Sequence, residues 1–161
     1  MPIFTTRLLT DELPAELLEH GPGHAVLGFT LTHAHMNAGQ SCHGGLVATM
    51  LDTAVTVAAS IGEDPAARRY GITLSMTVNY LAPARVGPVR CTGRKVGGGR
   101  KTVFTEGELR DLEGNLLATA SAPVKVTDYP QDSLKELQGK IQACHERGKK
   151  KGRRNIWTVS T

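Results

Sequence analysis

An α+β fold, with one long apolar helix covered by an antiparallel sheet, is what this 161-residue chain predicts. Three observations point there. Residues 46–61 form sixteen positions of nearly unbroken apolar character, too long for an ordinary strand and about 24 Å as a helix. Strand-like segments follow at 72–80, 89–96, 102–110 and 116–126, joined by short turns such as Gly97-Gly98-Gly99 and Asp111-Leu112-Glu113-Gly114-Asn115. Eighteen glycines and eight prolines favour a turn-rich sheet over a helical bundle. A sheet wrapped round a single apolar helix buries the apolar face of both.

The elements read in order as follows. Residues 10–18 predict a short N-terminal helix, capped by Thr10 or Asp11 and stopped by Gly21-Pro22-Gly23. Residues 25–33 alternate Ala25, Leu27, Phe29 and Leu31 against Val26, Gly28, Thr30 and Thr32, the period of a strand. A polar loop, 37–45, leads into the long helix. The four later strands bring the expected total to about five to six. Beyond Gln131, Leu134, Leu137 and Ile141 predict a short amphipathic helix, followed by the basic arm Gly148-Lys149-Lys150-Lys151-Gly152-Arg153-Arg154. The expected organisation is one domain over 1–128, with its core at 24–127, and an extension over 129–161.

Charge and cysteine usage narrow the function classes. Residues 131–154 carry eight Lys/Arg and three Asp/Glu, whereas residues 1–130 carry eleven and twelve. The basicity therefore belongs to the tail. The tail has no aromatic interleaving apart from Trp157 and no reading motif, which argues against nucleic acid as a partner. No apolar run approaches the roughly 20 residues of a membrane span. The first residues lack a basic stretch followed by an apolar one, so no signal peptide is expected. Three scattered cysteines, Cys42, Cys91 and Cys144, fit a reducing cytoplasm and carry no metal-ligand spacing.

Two features carry chemistry. Asp52 stands in the middle of the apolar helix, on a stripe with Thr49, Thr53, Thr56 and Ser60. A carboxylate there costs several kcal/mol unless paired, hydrogen-bonded or protonated. Satisfaction by a neighbouring threonine is the plain account, and a perturbed base is the functional one. At the helix start, Gly44 and Gly45 offer bare N–H groups at the positive end of the dipole, suited to a developing oxyanion. The plain account of that pair is a tight turn.

Taken together, Asn37, then His43-Gly44-Gly45, then Asp52 nine residues after the histidine resembles the motif of hotdog-fold acyl-CoA thioesterases of the phenylacetate-pathway (PaaI-like) type. The strand running into Leu81-Ala82-Pro83-Ala84 is similar to that family's second strand and its exit. The resemblance covers about 24–127. It implies that Asp52 activates water or attacks the thioester carbonyl, and that the Gly44 N–H polarises that carbonyl. It implies that Asn37 and His43 shape the site, and that Thr73 lies near the water. CoA is expected near the hairpin that reads Gly98-Gly99-Arg100-Lys101-Thr102, with Gly45, Gly99, Arg100, Lys101 and Thr102 as its contacts; two cations and several amides suit phosphates. A solvated hairpin tip is the plain account of Arg100 and Lys101. No metal and no cofactor is expected, CoA being part of the substrate.

Helix geometry adds a constraint. Gly44 and Asp52 are eight residues apart, about 12 Å along one axis. One thioester carbonyl cannot touch both groups of the same chain, so a shared site across a homodimer is expected. The resemblance implies that two dimers often assemble further. Cys42 beside His43 makes a poor nucleophile–base pair, because adjacent side chains rarely meet and no third group orients them. His20, His24, His33, His35 and His43 with Asp52 form no metal spacing. The hydratases of the fold place their acid and histidine differently. A non-catalytic acyl-CoA sensor stays as the alternative, though a sensor needs no base. Acyl-chain length and the side of its strand on which Thr73 points stay open at this stage.

Overall fold

The computed structural model describes residues 13–64 and 69–128. Its elements are β1 (Ala15–Gly21), β2 (His24–Leu31), a single 3-10 turn (His33–His35), α1 (Gly44–Ser60), β3 (Arg69–Thr73), β4 (Thr77–Tyr80), β5 (Gly87–Gly98), β6 (Thr102–Asp111) and β7 (Leu116–Asp128). One antiparallel sheet runs β1-β2-β5-β6-β7-β3, and β4 also pairs with β7. The sheet curls round α1, giving the hotdog architecture. The expected C-terminal helix near Leu134–Ile141 and the basic arm near Gly148–Arg154 lie outside the described residues.

Two expectations are corrected. The helix expected over 10–18 is, from Ala15 onward, the edge strand β1 (residues 10–12 lie outside the described set). A segment that short is marginal as an isolated helix. Pairing along β2, from Ala15 opposite Phe29 to Gly21 opposite His24, supplies backbone partners that a surface helix would forgo. It also seats Leu13 and Ala15 in the core, at 3% and 1% exposure. The second correction concerns 72–80, expected as one strand. The chain leaves the ladder after Thr73 and rejoins it at Thr77. Thr73 pairs with Val124, and Thr77 with Ser121. Four steps on this side therefore face three on β7, a one-residue bulge that exchanges the faces of the sheet.

The helix lies unusually close to the sheet, and glycine makes that possible. Gly93 on β5 and Gly107 on β6 are direct cross-strand partners. A Cβ at Gly93 would stand 2.1 Å from the Ala54 carbonyl oxygen, and one at Gly107 would stand 2.9 Å from Val55 Cγ1. Gly71 on β3 is similarly tight, 3.0 Å from the Thr56 carbonyl oxygen. Around this saddle pack Leu27, Phe29, Met50, Leu51, Cys91 and Leu109, all at or near zero exposure. The Cys91 thiol donates to the Met50 carbonyl at 3.4 Å.

Substituting Gly93→Ala is therefore expected to destabilise by about 3 kcal/mol or more, since the clash is with helix backbone and cannot be relieved by a rotamer. Gly99→Ala, at a hairpin position where a Cβ meets nothing within 4 Å, is expected to stay within about 0.5 kcal/mol. Urea titration of the two variants against the parent checks both.

Candidate active site

The loop before α1 is built by Asn37. Its Oδ1 accepts from the Gly39 N–H at 2.8 Å and from the Ser41 N–H and hydroxyl at 3.3 Å each. Its Nδ2 donates to the Ser41 hydroxyl at 3.1 Å. The side chain thus serves as the scaffold of residues 37–41, a use suited to an Asx residue. The chain then enters the helix pinned on two sides. The Cys42 N–H donates to the Ala84 carbonyl at 2.8 Å, and the His43 N–H to the His35 carbonyl at 3.0 Å. His35 itself is buried, its Nδ1 accepting from the Thr32 N–H at 2.9 Å.

His43 is the cap residue of α1, and its ring is exposed. Its carbonyl accepts from Leu46 and Val47 N–H groups. Gly44 and Gly45, one step earlier, have N–H groups with no acceptor among the described residues. These are orphan donors of a helix N-terminus, at its positive end. Cys42 is buried, and burial pushes its thiol up, the opposite of what an activated nucleophile requires.

Asp52 lies two turns further along. The face of α1 that carries it, with Gly45, Ala48, Thr49 and Thr56, is left partly open by the sheet, so the carboxylate is half-buried in the protomer. The neighbouring hydroxyls do not serve it. Thr49, Thr53 and Thr56 each donate to the carbonyl one turn back, at 2.8 Å. Asp52 Oδ1 instead accepts from the Thr73 hydroxyl at 2.5 Å, the only side-chain bond to this carboxylate among the described residues. Ile72 and Leu74 point outward, at 44% and 56% exposure, and Thr73 faces the helix.

The expected residues fall into two groups. Asn37, His43, Gly44 and Gly45 gather at the N-terminal end of α1. Asp52 and Thr73 meet near the level of Val124 on β7, about six residues or 20 Å along the strand from Ala118, the partner of Tyr80 beside Gly44. The hairpin expected to hold CoA lies at the Asp52 end. Thr102 pairs with Lys125, which also pairs with Ile72. Gly98 has φ +97°, a conformation glycine favours, and the Gly99 N–H closes the turn on the Thr102 carbonyl. Arg100 and Lys101 are exposed, while their carbonyls accept from Arg69 and from the Val126 N–H.

Two residues were not foreseen. His35 fixes the entry to the helix. Tyr80 donates its hydroxyl to the Gly44 carbonyl at 3.1 Å. It borders a cavity of about 380 Å3 that Gly44, Val47, Leu109 and Leu117 also line. The bulge after Thr73 is what turns Tyr80 to the helix side. Without it, Thr73 and Tyr80, seven residues apart, would face opposite ways. A Leu-Ser-Met interruption is too weak a signal to locate a bulge. Among the described residues, no group of three His, Cys, Asp or Glu could hold a metal ion, and no helix is long and apolar enough to cross a membrane.

Known proteins resemble the chain along this same stretch. The sequence profile of the Thioesterase superfamily matches residues 39–118, from the Asn37 loop through β7's start. Human acyl-coenzyme A thioesterase 13 is 30% identical over 104 residues, covering 63% of this chain and 72% of that protein. Among solved structures, the E. coli PaaI protein of the phenylacetic acid degradation operon aligns with TM-score 0.64 at 22% identity, over 69% of this chain and 78% of its own. A Streptococcus mutans protein solved bound to acetyl CoA aligns with TM-score 0.64 at 22% identity, over 73% and 91%. At that identity these two structures speak to the fold, and the human relative and the family profile speak to descent. By the superfamily profile and the human relative, and with the same fold in the solved structures, the chain belongs to the thioesterase superfamily of hotdog proteins.

Proposed function

We propose that the protein hydrolyses acyl-CoA thioesters to the free acid and CoA. The observation that carries this reading is the Thr73–Asp52 hydrogen bond on the open face of α1. Among the described residues it leaves the second carboxylate oxygen without a side-chain donor, available to take a proton from water or to attack a carbonyl, and it fixes the carboxylate's direction. The names of the relatives support the substrate: an acyl-CoA thioesterase in sequence, and an acetyl-CoA complex in fold.

In this reading the thioester carbonyl rests on the Gly44 N–H of one protomer, and Asp52 of the other reaches the carbonyl carbon through water or directly. With water as nucleophile, the C–O bond forms as Asp52 takes the proton. The tetrahedral oxyanion is held by the helix N-terminus, the C–S bond breaks, and the proton follows the leaving thiolate. Asn37 and His43 shape the donor end, and Thr73 orients the carboxylate. Gly45 stands beside Gly44 as a second donor. Gly99, Arg100, Lys101 and Thr102 are proposed to meet the CoA phosphates. The homodimer is part of the mechanism, with a dimer of dimers as its further assembly and the cytoplasm as its place. The reaction as drawn consumes only water.

A panel of acyl-CoA esters with detection of the released thiol tests the reading. The parent is expected to turn over at least one class, and Asp52→Asn to lower kcat by about 100-fold or more. Hydrolysis of no ester, together with tight binding of the same esters, would replace the enzyme with an acyl-CoA sensor. Thr73→Val, which keeps the shape and removes the donor, is expected to lower kcat by about 10-fold, the scale of one hydrogen bond to a charged group. An undiminished kcat in that variant would remove Thr73 from the site.

A further inference from the structure

Tyr80 is not accounted for by core packing. It is 57% exposed at the end of β4, so its ring buries little area. Yet the ring is held in place. Its hydroxyl donates to the Gly44 carbonyl at 3.1 Å. A Cβ at Gly44 would lie 3.4 Å from two of its ring atoms. Nor does the helix need this bond. The groups that α-helices leave unsatisfied are the first N–H groups and the last carbonyls, and the Gly44 carbonyl belongs to the first turn. The bond is additional, and it falls on the peptide that carries the Gly45 N–H, the second donor beside that of Gly44. The Gly44 carbonyl and the Gly45 N–H are the two ends of a single planar unit. Holding the carbonyl fixes where that N–H points. Donation to the oxygen also polarises the unit and strengthens the N–H as a donor. The same ring walls the cavity onto which Gly44 opens.

We propose that Tyr80 is a positioning residue of the thioester site: it clamps the first turn of α1 so that the Gly44 and Gly45 N–H groups stay aimed at the substrate carbonyl, and its ring closes one wall of the adjoining cavity. The proposal rests on the thioesterase reading and deepens it. Tyr80 exchanges no proton with substrate in this role. It acts through the backbone of another residue. The one-residue bulge between β3 and β4 is what delivers both Thr73 and Tyr80 to the helix, one for each end of the site.

The test is steady-state kinetics on the full-length protein with whichever acyl-CoA ester the parent hydrolyses. Tyr80→Phe keeps the wall and removes the donor. It is expected to lower kcat by about 3- to 10-fold, the scale of one neutral hydrogen bond, with KM within about twofold, the melting midpoint unchanged and the shape of the pH profile unchanged. Tyr80→Ala, lacking the wall as well, is expected to raise KM in addition. A second background separates positioning from general structure. Gly44→Pro removes one of the clamped N–H groups at the first helical position, where proline is tolerated. Adding Tyr80→Phe to it is expected to cost less than in the parent. A parent-like kcat in Tyr80→Phe, an equal loss in both backgrounds, or a displaced pH limb would each overturn the proposal while leaving the thioesterase reading standing. A parent inactive on every ester would instead remove the reading on which it rests.

Discussion

The close approach of α1 to the sheet over Gly93 and Gly107 governs the rest of the molecule. With the Ala54 carbonyl resting where a side chain would otherwise stand, the helix cannot roll or slide without opening the core at Met50, Leu51 and Cys91. Its rotation is therefore fixed, and with it the stripe of Gly45, Ala48, Thr49, Asp52 and Thr56 that the sheet leaves partly open. Polar atoms on this stripe are either returned to the helix backbone, as with Thr49 and Thr56, or tied to the neighbouring strand, as with Asp52 to Thr73. A half-buried carboxylate held by one hydroxyl is a group kept oriented and reachable.

Much of this was legible in the sequence, because the signals were either long or chemically odd. Sixteen apolar residues could only be a helix, and a lone aspartate inside them demanded an account. The glycine pair at the helix start and the turn residues between strands announced themselves by type. Where sequence reading failed, tertiary pairing had overridden local pattern. Residues 15–21 carry helix-like chemistry, yet the edge of β2 claims them as a strand. The split of 72–80 is a matter of register, and register is set by the partner strand. From the alternation alone, Thr73 and Tyr80 stand on opposite faces. Only the bulge places both toward the helix, which is why Tyr80 escaped notice and the direction of Thr73 stayed open. His35, a buried residue working through its own backbone carbonyl, leaves no compositional trace.

On the proposed reading, the two groups of site residues come together only between protomers. The donors proposed to polarise the carbonyl, and the cavity, sit at the start of α1, whereas Asp52 and Thr73 sit at its middle, with the Arg100–Lys101 hairpin beyond. A continuous helix separates them rigidly by about 12 Å. An antiparallel pairing of two such helices through their open stripes would bring the start of one to the middle of the other and create two equivalent sites. The small residues on the stripe permit close approach, and the half-exposure of Asp52 would be relieved by the same contact.

Subunit complementation tests that sharing most directly. Asp52→Asn protomers retain the Gly44 donor, and Gly44→Pro protomers retain the carboxylate; each is expected to be nearly inactive alone. After co-refolding in equal amounts, half of the dimers would be mixed, and each mixed dimer would hold one site with both groups intact. Recovery of about a quarter of the parent's acyl-CoA hydrolysis is the predicted result. A mixture that exchanges subunits freely, as read by mass, yet stays as inactive as its components would contradict a site built across two chains.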